Sequence, residues 1–158
     1  MEQTSLIKHS CRECGAMLYD GANKRNATSQ KTINGASKVD ALCADLETLP
    51  VERFEILSLN VRLHLIKRTM IAQGGGWACA VTPREVMRQA LADDAACLIL
   101  IHNHPSGDST PSAEDIELTR NMVAAAKTMG IRILDHAIIA SGGAYHFSEH
   151  PAHDAILR

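Results

Sequence analysis

Residues 96–115 read ACLILIHNHPSGDSTPSAED, and this stretch decides the fold. Ala96 to Ile101 is an unbroken apolar run of strand length, the pattern of a central strand buried on both faces. Pro105 cannot donate to a sheet ladder and helps to end the strand there. The Pro/Ser/Gly-rich loop behind it turns the chain into a helix that Ser112 caps and that runs to Met129, with Gly130 as its stop. Along an extended strand, residues two apart share a face, so His102 and His104 can present both imidazoles to one point. Asp115 falls in the first turn of the following helix, whose positive end favours the ionised carboxylate that a metal needs. Two neutral imidazoles and one carboxylate, with a fourth position open to water, make a catalytic zinc site. Each residue also has an ordinary reading: Asp115 as the capping-box partner of Ser112, the histidines as strand-end residues. Their joint occurrence at a strand terminus facing a helix N-terminus favours the metal.

Outward from this stretch, strand and helix patterns alternate. Upstream, Ser37 can cap a short helix through Leu49, with Val39, Leu42, Cys43 and Leu46 on one face and Pro50 at its end. Glu52 to Leu59 reads as a strand, and His64 to Ala72 as its hairpin partner across Asn60–Arg62. Gly74-Gly75-Gly76 is a flexible break. Thr82-Pro83-Arg84-Glu85 is a strong helix start: a cap, a proline at the first helical position and a glutamate three residues after the cap. That helix runs to about Asp93. Downstream, Ile131–Leu134 and Ala137–Ala140 have strand character, and Ser141-Gly142-Gly143 turns the chain into Ala144–Phe147. The expected fold class is α/β, a mixed β-sheet flanked by helices around one buried strand. Asp20 to Ser37 is polar, rich in Gly, Asn and Ser, and without apolar period. Residues 1–36 are therefore read as a polar, flexible N-terminal tail and residues 37–158 as the domain.

Composition agrees with one compact domain. The chain has 158 residues, 46% apolar and 22% charged, an ordinary globular profile. No apolar run is long enough to cross a bilayer, and no charged-then-apolar signal segment opens the chain. A net charge of −2 argues against general affinity for nucleic acid or membrane surfaces. Five scattered cysteines do not look like a disulfide framework and point to a reducing cytoplasm. The pair Cys11-x-x-Cys14 could be half of a zinc knuckle, but no second pair follows at suitable spacing. Cys43, Cys79 and Cys97 read as small buried residues.

The run His102-x-His104-Pro-Ser-Gly, followed by Pro111-Ser112-x-x-Asp115, resembles the zinc motif of the JAB/MPN+ (JAMM) metalloprotease family. It is most similar to the RadC-like branch. Glu52-x-Phe54, Gly74, Pro83-Arg84-Glu85-Val86, Ile99 to Asp108 and Leu134-Asp135-His136 look like RadC-like blocks in their usual order. The resemblance implies an α/β/α sandwich of the cytidine-deaminase-like kind and a zinc-dependent peptidase or isopeptidase using a metal-activated water. It further implies that His102, His104 and Asp115 ligate one Zn²⁺, that Glu52 is the general base, and that Ser112 helps to hold the oxyanion. The residues themselves leave Glu52 and Glu55 in competition for the base, since positions three apart on a strand point to opposite faces. The Ser112 hydroxyl is likewise divided between cap and substrate. His136 reads either as support for the site or as strand packing. His9, His64, His146, His150 and His153 are assigned to surface or tail.

Rival functions separate on the same letters. A nucleic-acid deaminase needs His-x-Glu followed by Pro-Cys-x-x-Cys, whereas the residue two after His102 is histidine. His102-Asn103-His104 has the letters of an HNH nuclease without that family's dispersed spacing. The resemblance leaves one serious alternative, a non-catalytic module associated with DNA repair or protein interaction. The expected partner is a peptide or protein substrate. With an acidic domain, direct nucleic-acid binding is doubtful.

Overall fold

The computed structural model describes residues 7–10, 17–19, 31–74 and 81–158. Strands β1 (Ile7–Ser10) and β2 (Met17–Tyr19) pair antiparallel in a small sheet of their own. Most of the stretch read as a tail, with Cys11 and Cys14, lies outside the described residues, as do Gly75, Gly76 and Cys79. The core takes in Ile33, and Thr32 bridges His64, so packing starts ahead of the expected boundary at 37.

The main sheet has five strands in the order β4-β3-β5-β6-β7. They are β3 (Arg53–Leu59), β4 (Leu65–Gln73), β5 (Cys97–Asn103), β6 (Arg132–Ala140) and β7 (Gly143–His146). Only β5 and β6 run parallel, and α3 (Ala113–Thr128) makes the crossover that a parallel pair requires. Every residue of β5 is buried, as its continuous apolar run predicts.

Helices cover both faces. On one side, α2 (Pro83–Ala92), α3 and α4 (Pro151–Leu157) close a core built on Phe54, Ile56, Leu98, Leu100, Met122 and Ile133. On the other, α1 (Ala36–Cys43) and the turn after it place Val39, Cys43 and Leu46 over Leu57, Ile99, Ile101 and Ile139. The result is the expected α/β/α sandwich, with Cys43 and Cys97 buried and free. No described helix is long and apolar enough to cross a membrane.

Several local features differ from expectation: the first helix ends at Cys43 instead of Leu49, and α4 has no counterpart in the sequence pattern. Helix α1 begins at Ala36, so Ser37 lies inside its first turn and makes no cap. The two short strands expected at 131–140 are one strand with a bulge: Leu98 pairs Ile133, but Ile99 pairs Asp135. The extra residue reverses the parity of β6. Ile133 faces the α3 side before it and His136 after it, while Asp135 turns to the α1 side.

Candidate metal centre

The C-terminal end of β5 meets the N-terminus of α3, and the three expected ligands converge there. His102 Nε2 lies 3.0 Å from His104 Nε2 and 3.1 Å from Asp115 Oδ1, and His104 Nε2 lies 3.5 Å from Asp115 Oδ2. Two ligands on one tetrahedral zinc, each about 2.0 Å from the ion, stand roughly 3.3 Å apart, so the spacing suits a shared ion. Among the described residues, this is the one His/Cys/Asp/Glu cluster compact enough to hold a metal.

Helix α3 delivers Asp115 from a buried stripe of Asp115, Thr119, Met122 and Ala126, spaced four, three and four residues apart. A capping box fixes the carboxylate. Asp115 Oδ2 accepts from Ser112 N and from Ser112 Oγ, each at 2.7 Å, while Asp115 N donates back to Ser112 Oγ at 3.1 Å. The single hydroxyl proton of Ser112 is thus committed to Asp115, and service to a substrate would require breaking that bond.

Proton positions follow from the donors and acceptors around each ring. The carbonyl of Asp115 can only accept, so Thr119 Oγ1, 2.6 Å away, donates to it. Thr119 Oγ1 must then accept from His136 Nδ1, also at 2.6 Å. His136 Nε2 is left as an acceptor and takes the proton of His102 Nδ1 at 2.9 Å. That places the His102 proton on Nδ1 and turns the Nε2 lone pair toward His104 and Asp115. His104 reaches the same state by another route, since its Nδ1 donates to the Asp108 carbonyl at 2.8 Å. The loop carrying Asp108 is held close to the turn after β6: Gly107 has a φ of 87°, and a Cβ there would meet Ser141 Oγ at 2.9 Å.

Two imidazole lone pairs and a carboxylate therefore face one point. Asp115 Oδ1 is buried and receives no hydrogen bond although His102 Nε2 is close, because that nitrogen has no proton to give. A buried acceptor cluster of this kind is costly without a cation. The residues fit a metal ion.

The electrostatics describe the cluster with a proton in place of a cation, shared between the histidines and Asp115. Burial favours the neutral acid at Asp115, yet His102, His104 and Ser112 outweigh it and hold the carboxyl well below its ordinary range. The Asp115 carboxylate raises His104 against the effect of burial, with help from the Asp108 carbonyl and from the Asp115 and Glu52 charges. A proton and a metal are alternative occupants of the same lone pairs. Burial, with the neighbouring His102, pushes His136 well below its ordinary value and keeps it neutral, as its acceptor role requires.

Glu52 lies one residue ahead of β3, half-buried, with its carbonyl accepting from Gly74 N at 2.9 Å. Phe54 pairs with His102 across the sheet, so two residues back the alternation sets Glu52 on the face of His102. Glu55 faces the opposite side, buried, bonded to Arg68 and 3.6 Å from Arg53.

Thr119 escapes sequence reasoning, although its place one turn after Asp115, on the stripe shared with Met122 and Ala126, is a usable signal. His136 supports the site because the bulge turns it inward. His146, expected at the surface, is buried: it bridges Asp135 Oδ2 at 2.6 Å and Asp40 Oδ1 at 2.9 Å on the far face of the sheet. The cause is its register in β7, which sets it opposite Ala137 of the interior strand β6. His150 is exposed and stacks on Tyr145.

Comparisons with known proteins converge on one family. A family model described as the RadC-like JAB domain matches residues 33–152. A UPF0758 protein of Syntrophomonas wolfei is 52% identical over 88 residues, 56% of this chain and 37% of the relative. UPF0758 protein YsxA of Bacillus subtilis is 37% identical over 127 residues, 80% of this chain and 54% of the relative. UPF0758 protein TTE0897 of Caldanaerobacter subterraneus is 39% identical over 116 residues, 73% of this chain and 50% of the relative. The chain spans about half the length of the curated relatives it matches. Their names state no activity.

Proposed function

The chain belongs to the RadC-like JAB domain family, and from that membership we propose that it is a zinc-dependent hydrolase of peptide or isopeptide bonds. The carrying observation is the convergence of His102 Nε2, His104 Nε2 and the orphaned Asp115 Oδ1 in one buried corner. One zinc ion held by these three residues supplies a water whose pKa is lowered to about 7. Glu52, on the same face, takes a proton at its carboxylate and returns it to the leaving amine. Thr119 and His136 hold His102 in the ligating tautomer, and the Asp108 carbonyl does the same for His104. Ser112 holds Asp115. Its further use against an oxyanion requires its hydroxyl to leave that bond. The free buried thiols of Cys43 and Cys97 suit a reducing cytoplasm.

Metal analysis tests the site directly. The parent protein, purified without chelator, should carry one zinc per chain and His104→Ala much less; a parent without stoichiometric metal sinks the proposal. Glu52→Gln should keep the metal and lose cleavage of a mixed fluorogenic peptide library. A cellular effect that survives Glu52→Gln would instead favour a non-catalytic role, in repair or protein interaction.

A further inference from the structure

Asn103 stands between the two histidine ligands, and strand alternation turns its side chain to the face opposite theirs. It is buried, and both ends of its carboxamide are used. Oδ1 accepts from Arg53 N at 2.8 Å, and Nδ2 donates to Val51 O at 3.1 Å. Those groups belong to the two peptide units on either side of Glu52. The β3–β5 ladder ends at the Phe54–His102 pair, so at the next position a side chain does what backbone pairing does within the sheet. Gly74 N holds the Glu52 carbonyl from the β4 side.

We propose that Asn103 is the positioning residue for Glu52. This rests on the hydrolase reading above, in which Glu52 moves the proton. Glu52 lies outside the regular strand, and Asn103 clamps both of its peptide planes. The clamp rides on the strand that carries the ligands: His102 and His104 aim at the metal while the residue between them fixes the base. Base and ligands therefore share one rigid frame, which proton transfer needs, because a misplacement of about 1 Å can cost about 100-fold in rate. The side chain must accept from an N–H and donate to a C=O at peptide spacing. Asn does both; an ionised Asp has no donor and Leu, of similar shape, has neither.

Cobalt(II) serves as the spectroscopic probe in the full chain. The parent, Glu52→Gln, Asn103→Leu and the double variant are loaded, and the pH midpoint of the visible absorption is read for each. A carboxylate held beside the ion raises that midpoint, because it disfavours further negative charge. Glu52→Gln should therefore lower it by about one pH unit. Asn103→Leu should bind one cobalt per chain, lower the midpoint in the same direction, and add nothing to Glu52→Gln in the double variant. An unchanged midpoint in Asn103→Leu, or full additivity in the double variant, overturns the clamp. A parent that takes up no cobalt overturns the metal reading, and the clamp as a catalytic device with it. Amide exchange on the metal-free parent tests the clamp separately, even if Asn103→Leu fails to fold. The Arg53 amide should exchange as slowly as those inside β3, and fast exchange at Arg53 alone refutes the clamp whatever the metal does.

Discussion

At His102 the placement of one proton decides what the side chain can do. With the proton on Nδ1 the ring ligates through Nε2; with it on Nε2 the ring becomes a donor to Asp115 and the metal loses a ligand. Thr119 and His136 choose the first state through hydrogen bonds of 2.6 and 2.9 Å. Thr119→Val keeps the volume and removes the acceptor, so it should weaken zinc affinity by about 10- to 100-fold while the domain stays folded. Competition with a chromogenic chelator measures this, and unchanged affinity would show that the relay does not set the tautomer. The candidate ligands were legible in the chain because His-x-His on a strand and Asp in a helix first turn are local patterns. The relay was not, because Thr119 and His136 meet only when α3 crosses over β6.

Among the elements, α3 does two tasks with its first turn. Its cap satisfies the helix N-terminus, and the same Ser112 bonds aim the Asp115 carboxylate at the histidines. Ser112→Ala should cost about 1 kcal/mol of stability in urea unfolding, and it should also weaken zinc binding, since Asp115 Oδ2 loses its hydroxyl partner. Loss of stability without loss of metal affinity would reduce Ser112 to a cap. Strand β5 and the start of α2 match their sequence patterns because burial on both faces and the Thr82 cap act locally. The β6 bulge did not announce itself. Asp135 interrupts the strand pattern there, but the register shift itself appears only against Leu98 and Ile99 of the neighbouring strand.

At the scale of the whole molecule, the two faces of the sheet carry different polar networks. His146 ties α1 to β6 through Asp40 and Asp135. Burial lowers its pKa, but the two carboxylates outweigh burial and raise it to about 9. A raised pKa means that the folded state holds this proton more tightly than the unfolded chain. The stabilisation is complete below the unfolded value near 6.5 and is lost as pH rises through about 9; it amounts to roughly 3 kcal/mol at most. Urea unfolding of the parent should lose stability across that window, and His146→Asn should flatten the loss. Metal acts on stability from the other face: zinc at about 100 times its dissociation constant should add about 2.7 kcal/mol, an increment absent from His104→Ala. By itself the sequence determined the alternation of elements, the buried central strand and the three residues of the candidate metal cluster, because periodicity, capping and strand-end punctuation are short-range physics. Only the tertiary structure decided which acid shares the face of His102 and His104, which way His136 points, that His146 is interior, and that Asn103 reaches the peptides of Glu52. Each of those depends on register between paired strands, and a displacement of one residue exchanges one face of the sheet for the other.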